Sequence, residues 1–144
     1  MTGVWVVLGT LVVAGVAGAL LRARNGRVRA ARRAPAAALP GPVEAALGTG
    51  AQVTLVQIST TFCTPCRHTR ALLGPLAERT DGLAHVELDV TNQPEVAQAL
   101  GVLRTPTTIA YRSDGTELLR VGGVPKAPAL LEALRPHLPA RIAD

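Results

Sequence analysis

Both cysteines of the chain lie in one stretch, Thr61-Phe62-Cys63-Thr64-Pro65-Cys66-Arg67, and this stretch constrains the fold more than any other. Two thiols two residues apart can close a small disulfide when a helix begins at the first of them. Just before them, Val53-Thr54-Leu55-Val56-Gln57-Ile58-Ser59 is apolar and β-branched and reads as a buried strand. After them, Thr69 to Thr80 is rich in Leu and Ala and reads as a helix. The cysteines therefore sit where a strand hands over to a helix N-terminus. Unpaired backbone N–H groups and the helix dipole favour a thiolate on Cys63 there. Only the thiolate attacks a disulfide, so thiol–disulfide exchange needs this placement.

The N-terminal third has a different character. Met1 to Leu21 carries no charged side chain, and Val4 to Leu21 is almost uninterruptedly apolar. At about 1.5 Å of rise per residue, this run approaches the thickness of a bilayer's hydrocarbon core. Gly9, Gly15 and Gly18 suit a membrane helix better than a soluble one, and Trp5 suits the interface. Residues 1–22 are read as a single transmembrane helix that contacts the membrane through residues 4–21. A cleaved signal peptide competes, because Ala17-Gly18-Ala19 has the form of a cleavage site. However, no positive charge precedes the apolar run and arginines follow it, the reverse of a secretory signal. By the positive-inside rule the remainder of the chain is expected on the cytoplasmic face, an extracytoplasmic domain being the alternative.

The formal net charge of +5 raises the question of a nucleic-acid partner. Arg22, Arg24, Arg27, Arg29, Arg32 and Arg33 all precede the first acidic residue, Glu44. Without these six, nine basic groups face ten acidic ones, so the rest of the chain is near neutral. The basicity belongs to the tether, where it acts as a topology signal, and nucleic-acid binding is not expected. Residues 23–42, mostly Arg, Ala, Pro and Gly, read as a juxtamembrane linker, helical through Arg33 and broken by Pro35 and Pro40. Pro42 to Gly48 reads as a short helix with Pro at its start and Gly at its end.

From 51 to 138 the order of elements resembles the thioredoxin family. Val86 to Val90 reads as a strand, and Asn92 to Gly101 fits a short helix. Thr105-Pro106-Thr107 falls where the family has its cis-proline. Thr107 to Tyr111, the Ser113-Asp114-Gly115 turn and Glu117 to Val121 form a hairpin, followed by Gly122-Gly123 and a last helix from Pro125 to Leu138. The resemblance implies an α/β thioredoxin-like domain over residues 43–144. Too few residues lie between Pro42 and Val53 for the family's first strand and helix. That unit is expected to be truncated, leaving a mixed sheet of about four strands with flanking helices.

The resemblance also implies roles for individual residues. Cys63 is the expected attacking thiol and Cys66 the resolving one, with Thr64 and Pro65 setting the poise of the pair. Thioredoxins typically have Gly-Pro between their cysteines, so Thr64 is a departure. Gln57 matches a position that usually carries a buried Asp, and an amide cannot serve as a general base. Glu87 stands in place of the usual Lys. It is expected either to face solvent or, if buried with a raised pKa, to supply the missing base. Phe62, Thr105, Pro106, Gly122 and Gly123 match the substrate-binding rim, and Arg67, Arg70 and Arg79 are expected to be mostly a solvated helix face.

Zinc requires about four N or S ligands, and only His68, His85 and His137 could join the cysteines, so no metal is expected. No organic cofactor is implied beyond the redox disulfide. The expected function is a membrane-tethered thiol–disulfide oxidoreductase. Two alternatives stand beside it: a non-catalytic peptide-binding adaptor and a slow redox sensor. Protein dithiols and disulfides are its expected partners, together with an electron donor or acceptor, and the chain is expected to be a monomer.

Overall fold

The computed structural model describes residues 1–31 and 38–140. A 23-residue helix, α1 (Thr2–Arg24), opens the chain, and none of its residues is buried. Strand β1 (Val28–Ala30) follows, then helix α2 (Gly41–Ala46), strand β2 (Val53–Ser59), helix α3 (Thr64–Glu78) and strand β3 (Leu83–Asp89). Helix α4 (Pro94–Ala99), strands β4 (Thr107–Arg112) and β5 (Glu117–Gly122) and helix α5 (Ala127–Leu134) complete the domain, with a 3₁₀ turn over Arg135–His137.

The sheet has the order β1-β5-β4-β2-β3. Strands β2 and β3 are parallel, and α3 supplies the crossover that a parallel pair requires. The other pairs are antiparallel. Strands β4 and β5 form a hairpin whose turn is held by the Thr116 N–H donating to Asp114 Oδ1 at 2.8 Å. Gly115 takes the positive φ of 84° that this turn needs.

Every residue of β2 is buried, because β3 and β4 cover its edges and helices cover both faces. Leu55, on one face, joins Leu83, Ala110, Leu119 and Val121 beneath Leu73 and Leu76 of α3 and Leu130 and Leu134 of α5. Val56 and Ile58, on the other face, pack with Ile109 and Tyr111 against Val43 of α2 and Val96 of α4. The alternation of strand side chains thus divides one apolar run between two cores.

Among the described residues the sheet has five strands rather than four. The added one, β1, lies in the stretch read as a linker and pairs with β5 through Val28↔Val121 and Ala30↔Leu119. The helix does not continue toward Arg33. Asn25 is extended at φ −74° and ψ 135°, and Gly26 turns the chain with φ 72°. The expected break at Pro35 lies outside the described residues, whereas Pro40, the other expected break, is the N-cap of α2. The register brings four chain segments to one end of the sheet. Ile58 pairs with Thr107, Thr107 with Gly122, and Val28 with Val121, so β2 and β5 end where β4 and β1 begin.

Candidate functional site

The loop leaving β2 at this end carries the cysteines into α3. Cys63 is the N-cap of α3, in extended conformation at φ −114°, and the backbone N–H of Cys66 points at its Sγ from 3.2 Å. Pro65 sits in the first turn, where its missing N–H leaves no helical bond unmade. The two sulfurs form a disulfide with Cα atoms 5.2 Å apart. Cys63 is partly exposed, whereas Cys66 is only 2 % exposed. The Cys66 N–H and the helix dipole stabilise negative charge on the Cys63 sulfur once the pair is reduced.

Beneath the disulfide lies a polar layer built from β2, β3 and α3. Gln57, fully buried, donates through Nε2 to the Cys66 carbonyl at 2.9 Å. Its Oε1 lies 3.0 Å from His85 Nε2, so His85 donates from that nitrogen and holds the amide in place. Burial pushes the His85 imidazole below its usual pKa, against the opposing pull of the Glu87 carboxylate. Glu87 lies opposite Gln57 in the β2–β3 register, accepts a bond from Ser59 Oγ at 2.8 Å and forms an ion pair with Arg70 of α3.

This arrangement corrects both expectations for Glu87. Its side chain is 19 % exposed, so it does not face open solvent. Nor is its pKa raised. Burial, the largest single influence, pushes it up, but the bonds from Arg70 and Ser59 and the charges of Arg70 and His85 outweigh burial and hold it below the usual value. A carboxylate held in this way is a weak base. Arg70 lies on the solvated face expected of it, with its side chain 60 % exposed, and from there pairs with Glu87. His85 stood out in the sequence only as a possible metal ligand; its signal was a position two residues from Glu87 on one strand, which puts both on the same face. Ser59, Thr60, Thr61, Arg67, Arg70, Glu87 and Asp89 join the two cysteines around a cleft of ≈ 380 Å³.

The other side of the dithiol is a rim of loops. The Thr105–Pro106 peptide is cis, and the Thr105 and Thr60 hydroxyls are 3.3 Å apart. The Gly123 N–H donates to the Pro106 carbonyl at 2.7 Å, and Arg104 donates to the Gly122 carbonyl at 2.9 Å. Phe62, beside Cys63, is 99 % exposed. Asn25, which the sequence did not single out, lies against Gly123, so a Cβ on that glycine would collide with its side-chain oxygen. Among the described residues no group of three or more His, Cys, Asp and Glu is arranged to hold a metal ion.

A dithiol at a strand–helix junction, beside a cis-proline loop in a mixed α/β sheet, defines a protein of the thioredoxin-like redox class. The family model described as Thioredoxin matches residues 43–135, well over half of the chain, which therefore belongs to the thioredoxin family. It is 34 % identical over 80 residues to thioredoxin-2 of Saccharomyces cerevisiae, covering 56 % of this chain and 76 % of that protein. Its identity to the thioredoxin of Mycobacterium bovis is 35 % over 86 residues, covering 59 % of this chain and 73 % of the relative. Among solved structures, a mutant thioredoxin from Halobacterium salinarum superposes with a TM-score of 0.60 at 25 % identity, covering 71 % of this chain and 89 % of that one. With the Cys63–Cys66 pair at disulfide distance, the chain is a thiol–disulfide oxidoreductase that carries its own redox disulfide.

The polar layer generates two predictions. Gln57→Asp removes the donor to the Cys66 carbonyl and is expected to cost about 1–3 kcal/mol, read as a lower urea midpoint. The same change supplies a carboxylate and is expected to speed insulin reduction; a variant no faster than the parent would exclude base assistance from this position. The second concerns pH. Unfolded His85 takes up a proton near its ordinary value of 6.5, whereas folded His85 does so only at lower pH. Its contribution is thus intact above pH 6.5 and lost as pH falls through the folded value. In thermal unfolding, His85→Gln is expected to flatten the fall in Tm just below pH 6.5, while the loss linked to Glu87 persists below pH 4.5.

Proposed function

We propose that the chain is a membrane-tethered oxidoreductase in which Cys63 attacks and Cys66 resolves. The observation that carries this division of labour is that Cys63 caps α3 and is partly exposed while Cys66 is buried one turn inside. In the reducing direction, the Cys63 thiolate attacks one sulfur of a protein disulfide, forming a mixed disulfide and releasing the other sulfur as a thiolate. Cys66, deprotonated, then attacks Cys63 and releases the substrate as a dithiol. Two electrons pass to the substrate, its two thiolates take up protons, and the Cys63–Cys66 disulfide is left for a dithiol donor to reduce. Gln57 positions the Cys66 backbone through its 2.9 Å bond and takes no proton. Thr105 and Pro106 offer backbone to a substrate strand, and Phe62, Gly122 and Gly123 form the surrounding rim. Thr64 and Pro65 set the poise of the pair.

The apolar helix α1 is long enough to span a bilayer and has no buried residue, which supports its role as the tether. Arg22, Arg24, Arg27 and Arg29 follow its apolar run and favour a cytoplasmic domain, where the dithiol would act as a reductase.

Full-length protein in detergent micelles is expected to reduce insulin, and Cys63→Ser to fall to the rate of the added reductant alone. Cys66→Ser is expected to accumulate a mixed disulfide, read by mass. Equal turnover by Cys63→Ser and the parent would favour an adaptor with an idle dithiol. For sidedness, cells treated with mild reductant and an impermeant maleimide are expected to leave both cysteines unlabelled until lysis. Labelling in intact cells would put the domain outside.

A further inference from the structure

The tether enters the domain at the end of the sheet that carries the dithiol. Only Asn25, Gly26 and Arg27 separate the last residue of α1 from β1. Strand β1 runs antiparallel to β5 and begins opposite Val121, next to Gly122 and the loop of Pro106. From Arg24 to Val28 the chain reaches at most about 14 Å fully extended, whereas the headgroup zone on one side of a bilayer is about 5–8 Å deep. The start of β1 is thus confined to the membrane surface or its immediate vicinity.

This connection is docked on the domain. The Gly26 N–H donates to the Gly122 carbonyl at 2.9 Å, and Gly26 is buried. A Cβ there would collide with the Val124 carbonyl, as one on Gly123 would with Asn25. These contacts hold the membrane-exit segment against the glycines that end β5 beside the Pro106 loop, at the dithiol end of the sheet. Outside α1, Phe62 and Leu103 are the exposed large apolar side chains among the described residues, at 99 % and 98 %. Both lie on loops at this end of the sheet, joined through the Thr60–Thr105 hydroxyl contact.

We propose that the substrates are disulfides of integral membrane proteins, located close to the point where the substrate leaves the bilayer. Phe62 and Leu103 contact the apolar juxtamembrane segment of that substrate. The cleft wall of Arg67, Arg70, Glu87 and Asp89 is too polar to enter lipid, so the rim meets a protein and not the bilayer. The chemistry is the exchange given above: the substrate S–S bond breaks, the Cys63–Cys66 bond forms, and a dithiol reductant restores the pair. This inference rests on the tethered-oxidoreductase reading and adds the substrate class.

The full chain in liposomes, supplied with dithiothreitol, tests it against two membrane-spanning peptides. One carries a disulfide loop about five residues from its span, the other about forty residues away on a Gly/Ser linker. The near disulfide is expected to be reduced about tenfold faster than the far one, both being confined to the same bilayer. A Gly/Ser insert of about twenty residues between Arg24 and Asn25, outside β1, is expected to abolish that preference. Leu103→Ser is expected to slow reduction of the near peptide more than that of the far one. Equal rates on the two peptides, or a preference that survives the insert, would overturn the inference alone. Quenching by brominated lipids of a Leu103→Trp, Trp5→Phe chain without any peptide would also overturn it, by putting the rim in the bilayer. Failure to float with liposomes, or inactivity on every disulfide, would overturn the tethered-oxidoreductase reading as well.

Discussion

The active end of the molecule depends on a buried strand ending where a helix begins. Strand β2 is covered on both faces and both edges, so its register is tightly specified: a slip of one residue would exchange Leu55 and Gln57 with Val56 and Ile58 between the two cores. This register delivers Cys63 to the N-cap of α3. A free N–H of the first helical turn, that of Cys66, which a Ser, Thr, Asp or Asn side chain would normally satisfy, is directed here at sulfur. Packing in the core and charge stabilisation at the site are therefore consequences of the same strand.

The layer beneath the disulfide resolves a conflict between burial and polarity. A fully buried Gln57 is tolerable because both ends of its amide are bonded, one to the Cys66 carbonyl and the other to His85. Glu87 retains its charge at the cleft wall because Arg70 and Ser59 offset the cost of partial burial. The result is a neutral amide against the buried cysteine, with the negative charge one strand away in an ion pair. Such an arrangement orients the Cys66 backbone through a group that takes no proton.

The N-terminal helix is joined closely to the domain. Strand β1 pairs with the outer edge of β5, becomes the short edge strand of the sheet and joins it to the N-terminal helix through three residues. Because the sheet alternates direction from β2 to β4, β5 and β1, the join falls beside the dithiol and not at the far end. A domain attached in this way has much less orientational freedom than one on a flexible leash of the same length.

The order of elements from β2 to α5 was legible in the sequence because it is written in short-range patterns: apolar strand runs, a helical Leu/Ala period, turn residues and paired glycines. The two cysteines marked the redox pair, and the apolar run over Val4 to Leu21 marked a candidate span. Strand β1 was not legible. Val28-Arg29-Ala30 sits in a basic, Ala-rich stretch without strand character and is a strand because the edge of β5 accepts it. The partners of Gln57 and Glu87 were equally hidden, since His85 and Ser59 each lie 28 residues from the group they bond. By itself the sequence determined which segments become strands and helices from β2 onward and that two thiols meet at a helix start, because these depend on neighbours in the chain. Tertiary structure alone decided which charges pair, which edge β1 covers and that the N-terminal helix joins the sheet at its dithiol end, because these depend on groups that only folding brings within a few ångströms.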